Sequence, residues 1–326
     1  MNAVIMFSAN RIIGGKRGKV GGFADRLKGV VTCYILSILT GRDFLIDWDH
    51  PAEISDFFTP NTVNWKYGKE RVPTDANTQV FDFIDPALRP DQAEKLDLLL
   101  KTLEDKTEFS RVYGQSEILK FYANFFDVGY FTHFEKVLKR ELEIENFSNE
   151  DVFHVCFKRL FKFACPESVK NEFQQFQEFR TANKKVVGIQ FRTGGSGNWE
   201  DPNLDQPENI RQAARALRKK HSGFFKRKPA IFLTSDAPAA KEIFRDEIGK
   251  SFRVFSFNEV PIHFERSESP ASREFGMVVL EFNCLTLCDD LIVGHGGFGV
   301  AAGYSQGFEP QRYWDILGID APENDL

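Results

Sequence analysis

The sequence lacks the features that mark several whole classes of protein. Cysteine is scarce: five residues in a chain of 326, an odd number with no framework spacing, so no set of disulfides is written into it. Cys284 and Cys288 stand four apart on an expected helix without further His or Cys partners nearby, which favours buried thiols over a zinc site. Long apolar runs are also missing. The longest, Val30–Leu39, contains Thr32 and Ser37 and is too short to cross a bilayer. The opening MNAVIMFSANRI has neither the basic n-region nor the long apolar core of a secretion signal, so a reducing, cytoplasmic setting is expected. No GxGxxG dinucleotide fingerprint, no phosphate-binding Walker loop and no GxSxG elbow occurs. These absences argue against an NAD-dependent oxidoreductase, a P-loop enzyme and a serine hydrolase. No internal repeat is visible. With a net charge of −5 there is no overall attraction to nucleic acid, and none is expected as a partner.

What is present is the composition of an ordinary globular protein, 42% hydrophobic and 27% charged. The 34 Phe outnumber the 7 Tyr and 4 Trp, which reads as core rather than as a sugar-stacking surface. Charge is unevenly placed. The first 28 residues carry Arg11, Lys16, Arg17, Lys19, Arg26 and Lys28 against the single acid Asp25. A basic, glycine-rich N-terminus suits an anionic ligand, and equally a solvated basic arm.

Periodicity divides the chain. Ala3–Phe7 reads as a buried strand, a glycine-rich loop follows, and Asp25 opens a helix with one apolar face. Gly41 closes that helix and Phe44–Asp47 forms a second strand, completing a βαβ unit. Helices are expected from Pro90 and through a Phe-rich stretch from about 115 to 180. From Lys185 strands and helices alternate: strands at Val186–Phe191, Ala230–Thr234, Phe252–Phe257 and Leu291–Val293, helices between and after them. The pattern predicts an α/β protein with parallel, doubly wound sheets. Two domains are expected, 1–180 with a helical insertion and 181–326.

Ligands of such sheets bind beyond the carboxyl ends of the strands. Three of those ends carry polar or glycine residues. Val186–Phe191 runs into Arg192, Thr193, Gly194 and Gly195. Ala230–Thr234 runs into Ser235 and Asp236. Leu291–Val293 runs into Gly294, His295, Gly296, Gly297 and Phe298. An arginine offers a permanent charge and a planar fork matched to phosphate. Glycines let backbone amides approach an anion, and a helix N-terminus presents such amides. Taken singly, each has a simpler reading: a surface ion pair, a turn, an N-cap at Asp236. Their convergence on one edge is what points to a diphosphate site. Asp47 and Asp49 form a D-x-D after a strand, a spacing that elsewhere holds a metal and a nucleotide. Here it follows only 46 residues of chain, so no metal site is expected and the two acids are read as ending the strand at a cleft.

The residues then resemble a known superfamily. GGFADRL (Gly21–Leu27), a helix, and TGRDFLIDW (Thr40–Trp48) look like the N-terminal motif of fucosyltransferases that use GDP-fucose. The likeness is to those that modify nodulation signals, xyloglucan and proteins. VVGIQFRTGG, IFLTSD and LTLCDDLIVGHGGFGVAA are similar to their three later motifs. The resemblance covers roughly residues 14–50 and 185–305. It implies a GT-B-like fold of two facing Rossmann-like domains, the first on the acceptor side and the second on the donor side. It implies an inverting, metal-independent transfer of fucose from GDP-fucose to a glycan or peptide hydroxyl, with the nucleotide sugar as substrate and no separate cofactor. Arg192 takes the position of the arginine that binds the β-phosphate. Gly22, Arg26, Thr193, Gly194, Gly195, Ser235, Asp236, His295, Gly296, Gly297 and Phe298 are the accompanying donor-site candidates, and Asp25 and Asp49 the candidates for a base. Two departures stand out. The motif histidine is Gln190 here, and a hydroxyl-rich loop is replaced by His295-Gly-Gly-Phe. Both leave open another nucleotide sugar, or a non-catalytic protein of the same fold that binds nucleotide or glycan.

Overall fold

The structure, a computed structural model, describes residues 3–68, 72, 75–194, 204–221, 228–258 and 272–317. The chain forms two compact units, Met1–Ala164 and Cys165–Leu326.

In the first unit β1 (Val4–Ser8) is followed by a small hairpin of β2 (Ile12–Ile13) and β3 (Lys16–Arg17), then by α1 (Phe23–Thr40) and β4 (Asp43–Asp47). Next come β5 (Phe58–Pro60), β6 (Thr78–Phe83), α2 (Pro90–Glu104), α3 (Lys106–Tyr113), β7 (Ile118–Ala123), α4 (Glu135–Leu142), α5 (Asn149–Leu160) and β8 (Phe161–Phe163). The main sheet has the order β4-β1-β7-β6 and every pairing in it is parallel. All five residues of β1 are buried, as a strand covered on both faces requires. Helix α1 ends where Gly41 turns left-handed at φ 66°, a conformation that favours glycine. Gly29 brings α1 hard against β7: a Cβ there would lie 1.9 Å from the Ala123 carbonyl oxygen.

The strand β7 differs from the helical expectation for its stretch, and β6 lies where no element was expected. β7 lies in the middle of the sheet although Lys120 interrupts its apolar run. The lysine is accommodated because its amine reaches Asp47 Oδ2 at 2.9 Å.

The second unit alternates throughout: α6 (Lys170–Thr181), β9 (Val186–Phe191), α7 (Pro207–Lys220), β10 (Ala230–Ser235), α8 (Pro238–Ile248), β11 (Val254–Phe255), α9 (Ser272–Leu285), β12 (Asp290–Val293), α10 (Gly297–Gln306), β13 (Gln311–Arg312) and α11 (Tyr313–Leu317). The sheet order is β11-β10-β9-β12-β13, again parallel at every pairing. Val187, Ile189 and Phe191 of the central strand pack with Ile210, Ala214 and Leu217 of α7 and Ala240 and Phe244 of α8. On the opposite face Gly188 lets the strand approach Leu291, Leu285 and Cys288; a Cβ would stand 2.5 Å from Leu291 Cδ2. The register sets Ser235 beside Phe191 and Val293 beside Gln190, so the chains leaving β9, β10 and β12 emerge side by side at one edge.

Candidate functional site

Arg192 follows the last residue of β9, and its side chain runs along Gly296. A Cβ on that glycine would come within 2.9 Å of Arg192 Cδ and 3.5 Å of a guanidinium nitrogen. Gly296 is the N-cap of α10 at φ 87°, and Gly297 and Phe298 begin its first turn. The first amides of a helix have no carbonyl of their own helix to bond and carry the positive end of its dipole. A guanidinium and a helix N-terminus therefore stand together, a pairing that suits a phosphate. Phe298 itself packs edge-on against Phe282, with ring centroids 5.6 Å apart.

Asp236 faces this loop differently from the role its motif suggests. Its Oδ1 accepts from the Thr193 main-chain N–H at 2.7 Å and from the Thr193 hydroxyl at 2.9 Å, and its Oδ2 accepts from the Gly194 N–H at 3.0 Å. The carboxylate thus holds the chain leaving β9. Gly194 turns at φ 90°, which glycine tolerates. Ser235 is buried, and its hydroxyl oxygen accepts from the Ala237 N–H at 3.3 Å at the start of α8. Gly195 lies outside the described residues.

His295 is buried, and one of its ring nitrogens is engaged. Its Nδ1 lies 2.8 Å from Asp205 Oδ1, and the ring packs on Trp314 at a centroid distance of 5.2 Å. Asp205 was not among the residues singled out from sequence. It is fully buried just before α7, and its carboxylate also accepts from the main-chain N–H of Arg192 at 2.6 Å and of His295 at 3.2 Å. Burial pushes the Asp205 carboxyl above its ordinary range, while the bonds from His295 and Arg192 pull it back. No local periodicity marks this residue; its partners are 13 and 90 positions away.

A second buried acid lies behind the same edge. Glu281 of α9 and Lys241 of α8 stand 3.5 Å apart, both almost wholly buried, and Lys241 donates to the Phe257 carbonyl at 3.2 Å. Burial raises the Glu281 carboxyl to about 7, and Asp236 adds to the rise while Lys241 opposes it.

In the first unit Gly22 caps α1, and its N–H donates to Asp25 Oδ2 at 3.0 Å. Asp25 is thereby a helix-capping acid, with Lys28 3.8 Å away. Arg26 is buried: its Nε donates to the Gly21 carbonyl, one guanidinium nitrogen donates to the His50 carbonyl, and its head lies over Trp48. Asp47 accepts from Ser8, Asn10 and Lys120, so most of its carboxylate's acceptor capacity is taken by protein donors. Asp49 is half exposed with Arg17 3.8 Å away. Among the described residues no group of three or more His, Cys, Asp or Glu is placed to hold a metal ion, and no helix is long and apolar enough to cross a membrane.

Each of the two units is built on a parallel sheet flanked by helices, and solved structures share this fold. A mutant of Arabidopsis thaliana FUT1 in complex with GDP matches over 100% of this chain and 72% of its own, at 15% identity and a TM-score of 0.64. The NodZ alpha-1,6-fucosyltransferase soaked with GDP-fucose matches over 93% of this chain and 92% of its own, at 14% identity and a TM-score of 0.54. NodZ from Bradyrhizobium matches at a TM-score of 0.52 and 14% identity, over 93% and 92% of the two chains. The chain has the GT-B-type α/β fold of these fucosyltransferases, as the sequence resemblance implied; at such identity the likeness is one of fold. No protein-family model and no curated protein matches the sequence.

Proposed function

We propose that this chain is an inverting glycosyltransferase that moves fucose from GDP-fucose to a glycan or peptide hydroxyl. The observation that carries the reading is the Arg192 side chain laid along Gly296 at the N-terminus of α10. That edge offers permanent positive charge and main-chain amides where a diphosphate needs them. The fold shared with proteins solved with GDP and GDP-fucose supports the same ligand.

In the proposed reaction the acceptor oxygen attacks the anomeric carbon from the face opposite the nucleotide. The bond from that carbon to the β-phosphate oxygen breaks, and its electron pair stays on the departing GDP. Arg192 and the α10 amides stabilise the charge that builds there. The acceptor hydroxyl's proton passes to a base or to water. The second unit is assigned the donor. The first is assigned the acceptor, with Asp25 and Asp49 as its candidate carboxylates. Asp25 already caps α1, so Asp49 is the better placed of the two to accept a proton. No metal is assigned a part in the transfer.

One observation favours a second reading, the same chemistry with another nucleotide sugar. Gln190 replaces the motif histidine, and its buried Oε1 has no hydrogen-bond partner among the described residues. A thermal-shift panel of GDP, GDP-fucose and UDP-sugars separates the two. A ligand at 100 times its Kd stabilises by about 2.7 kcal/mol. Stabilisation by a UDP-sugar but by neither guanine nucleotide would transfer the assignment to that donor. GDP binding without GDP release in the presence of any glycan or peptide acceptor would make the protein a binder rather than an enzyme.

A further inference from the structure

One buried carboxylate ties together both halves of the phosphate-suited edge. The Asp205 N–H donates to the Arg192 carbonyl at 2.8 Å, and its side chain accepts the Arg192 N–H at 2.6 Å. Arg192 is thus gripped on both sides of its main chain. The same carboxylate takes the N–H of His295 at 3.2 Å and meets its Nδ1 at 2.8 Å. It also fills the space beside Gly294, where a Cβ would stand 2.0 Å from Asp205 Oδ2. Arg312 donates to the Gly294 carbonyl from the other side and lies over Trp314, the ring on which His295 packs.

A carboxylate with no exposure is costly unless its oxygens are satisfied. Closing the chain between β9 and α7 does not require one. The bonds that satisfy this one go to the residue that supplies the guanidinium and to the loop that leads into α10. A Cβ on Gly296 would sit 2.9 Å from Arg192 Cδ, so the two chains pack directly against each other and a displacement of either changes where the guanidinium lies.

We propose that Asp205, together with His295, is a positioning pair that fixes Arg192 against the α10 N-terminus and so sets affinity for the second phosphate of the donor nucleotide. The proposal rests on the reading of this edge as the diphosphate site. Neither side chain needs to touch the ligand.

The test is isothermal titration of GDP and of GMP to the full chain and to three variants, read as the GDP-to-GMP affinity ratio. A general loss of stability weakens both nucleotides alike, whereas a displaced cradle weakens the one carrying the second phosphate. Asp205→Asn keeps the shape and removes the charge, and the ratio is expected to fall about 10-fold or more, the scale of hydrogen bonds to charged groups. His295→Ala is expected to lower it in the same direction. His295→Asn places an amide N–H near the position of Nδ1 and is expected to restore most of it. Should Asp205→Asn fail to fold, the two His295 variants decide the matter alone. Wild-type GDP binding with an unchanged ratio in the folded variants overturns the positioning role alone. A wild-type chain that binds neither nucleotide overturns the diphosphate reading and this proposal with it.

Discussion

Asp236 and Thr193 are tied twice, the main-chain N–H and the hydroxyl of the threonine both donating to one oxygen of the aspartate, at 2.7 and 2.9 Å. The other oxygen holds Gly194 at 3.0 Å. The aspartate that follows β10 therefore shapes the chain leaving β9, and most of its acceptor capacity is spent within the protein. Asp236→Ala removes all three bonds and leaves two part-buried N–H groups without their acceptor. The expected loss is about 2–4 kcal/mol, since bonds to a charged acceptor contribute roughly 1.5–3 kcal/mol each and are not additive. Urea unfolding followed by circular dichroism measures it. A midpoint equal to wild type would mean the clamp contributes nothing.

Glu281 makes stability depend on pH in a stated direction. Its carboxyl rises from 4.5 to about 7 in the folded protein, chiefly through burial. Between those values the folded state holds a proton that the unfolded chain has released. Stability therefore falls as pH climbs from about 4.5 to about 7 and levels off above, by on the order of 3 kcal/mol for this group. Asp205 is shifted the same way, so the wild-type slope contains both acids. Glu281→Gln removes one contribution, and its curve should be flatter across that window even though it leaves Lys241 with a neutral neighbour. Unfolding free energies at pH 5, 6, 7 and 8 test this; parallel curves for the two proteins would refute the assignment.

The strands that define each sheet were legible in the sequence because burial on both faces writes an unbroken apolar run. β1, β9 and β10 are buried at every position, and so is β12 after its first residue. β6 and β7 were not legible. β6 lies in a stretch for which no element was expected, β7 lies in the stretch read as Phe-rich helices, and Lys120 breaks the run in β7. The tertiary partner Asp47, 73 residues away, makes a lysine acceptable there. The site divides the same way. Its strand ends could be located because a parallel sheet sends all its carboxyl ends to one edge. What the side chains touch there could not: Asp236 and His295 carried chemistry suited to a ligand, and both are also bonded to the loops themselves. Asp205 had no local signal, since its role exists only once Arg192 and His295 are adjacent.

Two glycines mark where backbone contact leaves no room for a side chain, and they should differ in cost. At Gly29 an added methyl would meet the Ala123 carbonyl at 1.9 Å, an atom of a strand in the middle of its sheet. At Gly188 it would meet side-chain ends, Leu291 Cδ2 at 2.5 Å and Leu285 Cδ2 at 3.0 Å, which can rotate away. Overpacking costs typically 1–3 kcal/mol. Gly29→Ala is expected at about 3 kcal/mol or above and Gly188→Ala near the lower end, about 1–2 kcal/mol. Thermal or urea unfolding of both variants ranks them, and the reverse order would show that α1 shifts more easily than the core around β9 repacks.

Arg192 carries the heaviest claim, and charge alone should not satisfy it. Arg192→Lys keeps a cation but replaces a planar fork of donors with a compact ammonium, which cannot donate bidentately to a phosphate held at the α10 N-terminus. Arg192→Ala removes the charge as well. If the residue stabilises the departing diphosphate, the loss lies in kcat as well as in KM, because the interaction strengthens as charge builds on the leaving group. The alanine variant is expected to lose about 10²–10³-fold in turnover, the scale of removing one preorganised donor from a developing anion. The lysine variant should fall between it and wild type, nearer to alanine. GDP release with GDP-fucose and a responsive acceptor supplies the measurement. An alanine variant with wild-type kcat and a raised KM would reduce Arg192 to a ground-state anchor and move the stabilisation of the leaving group to the amides of α10.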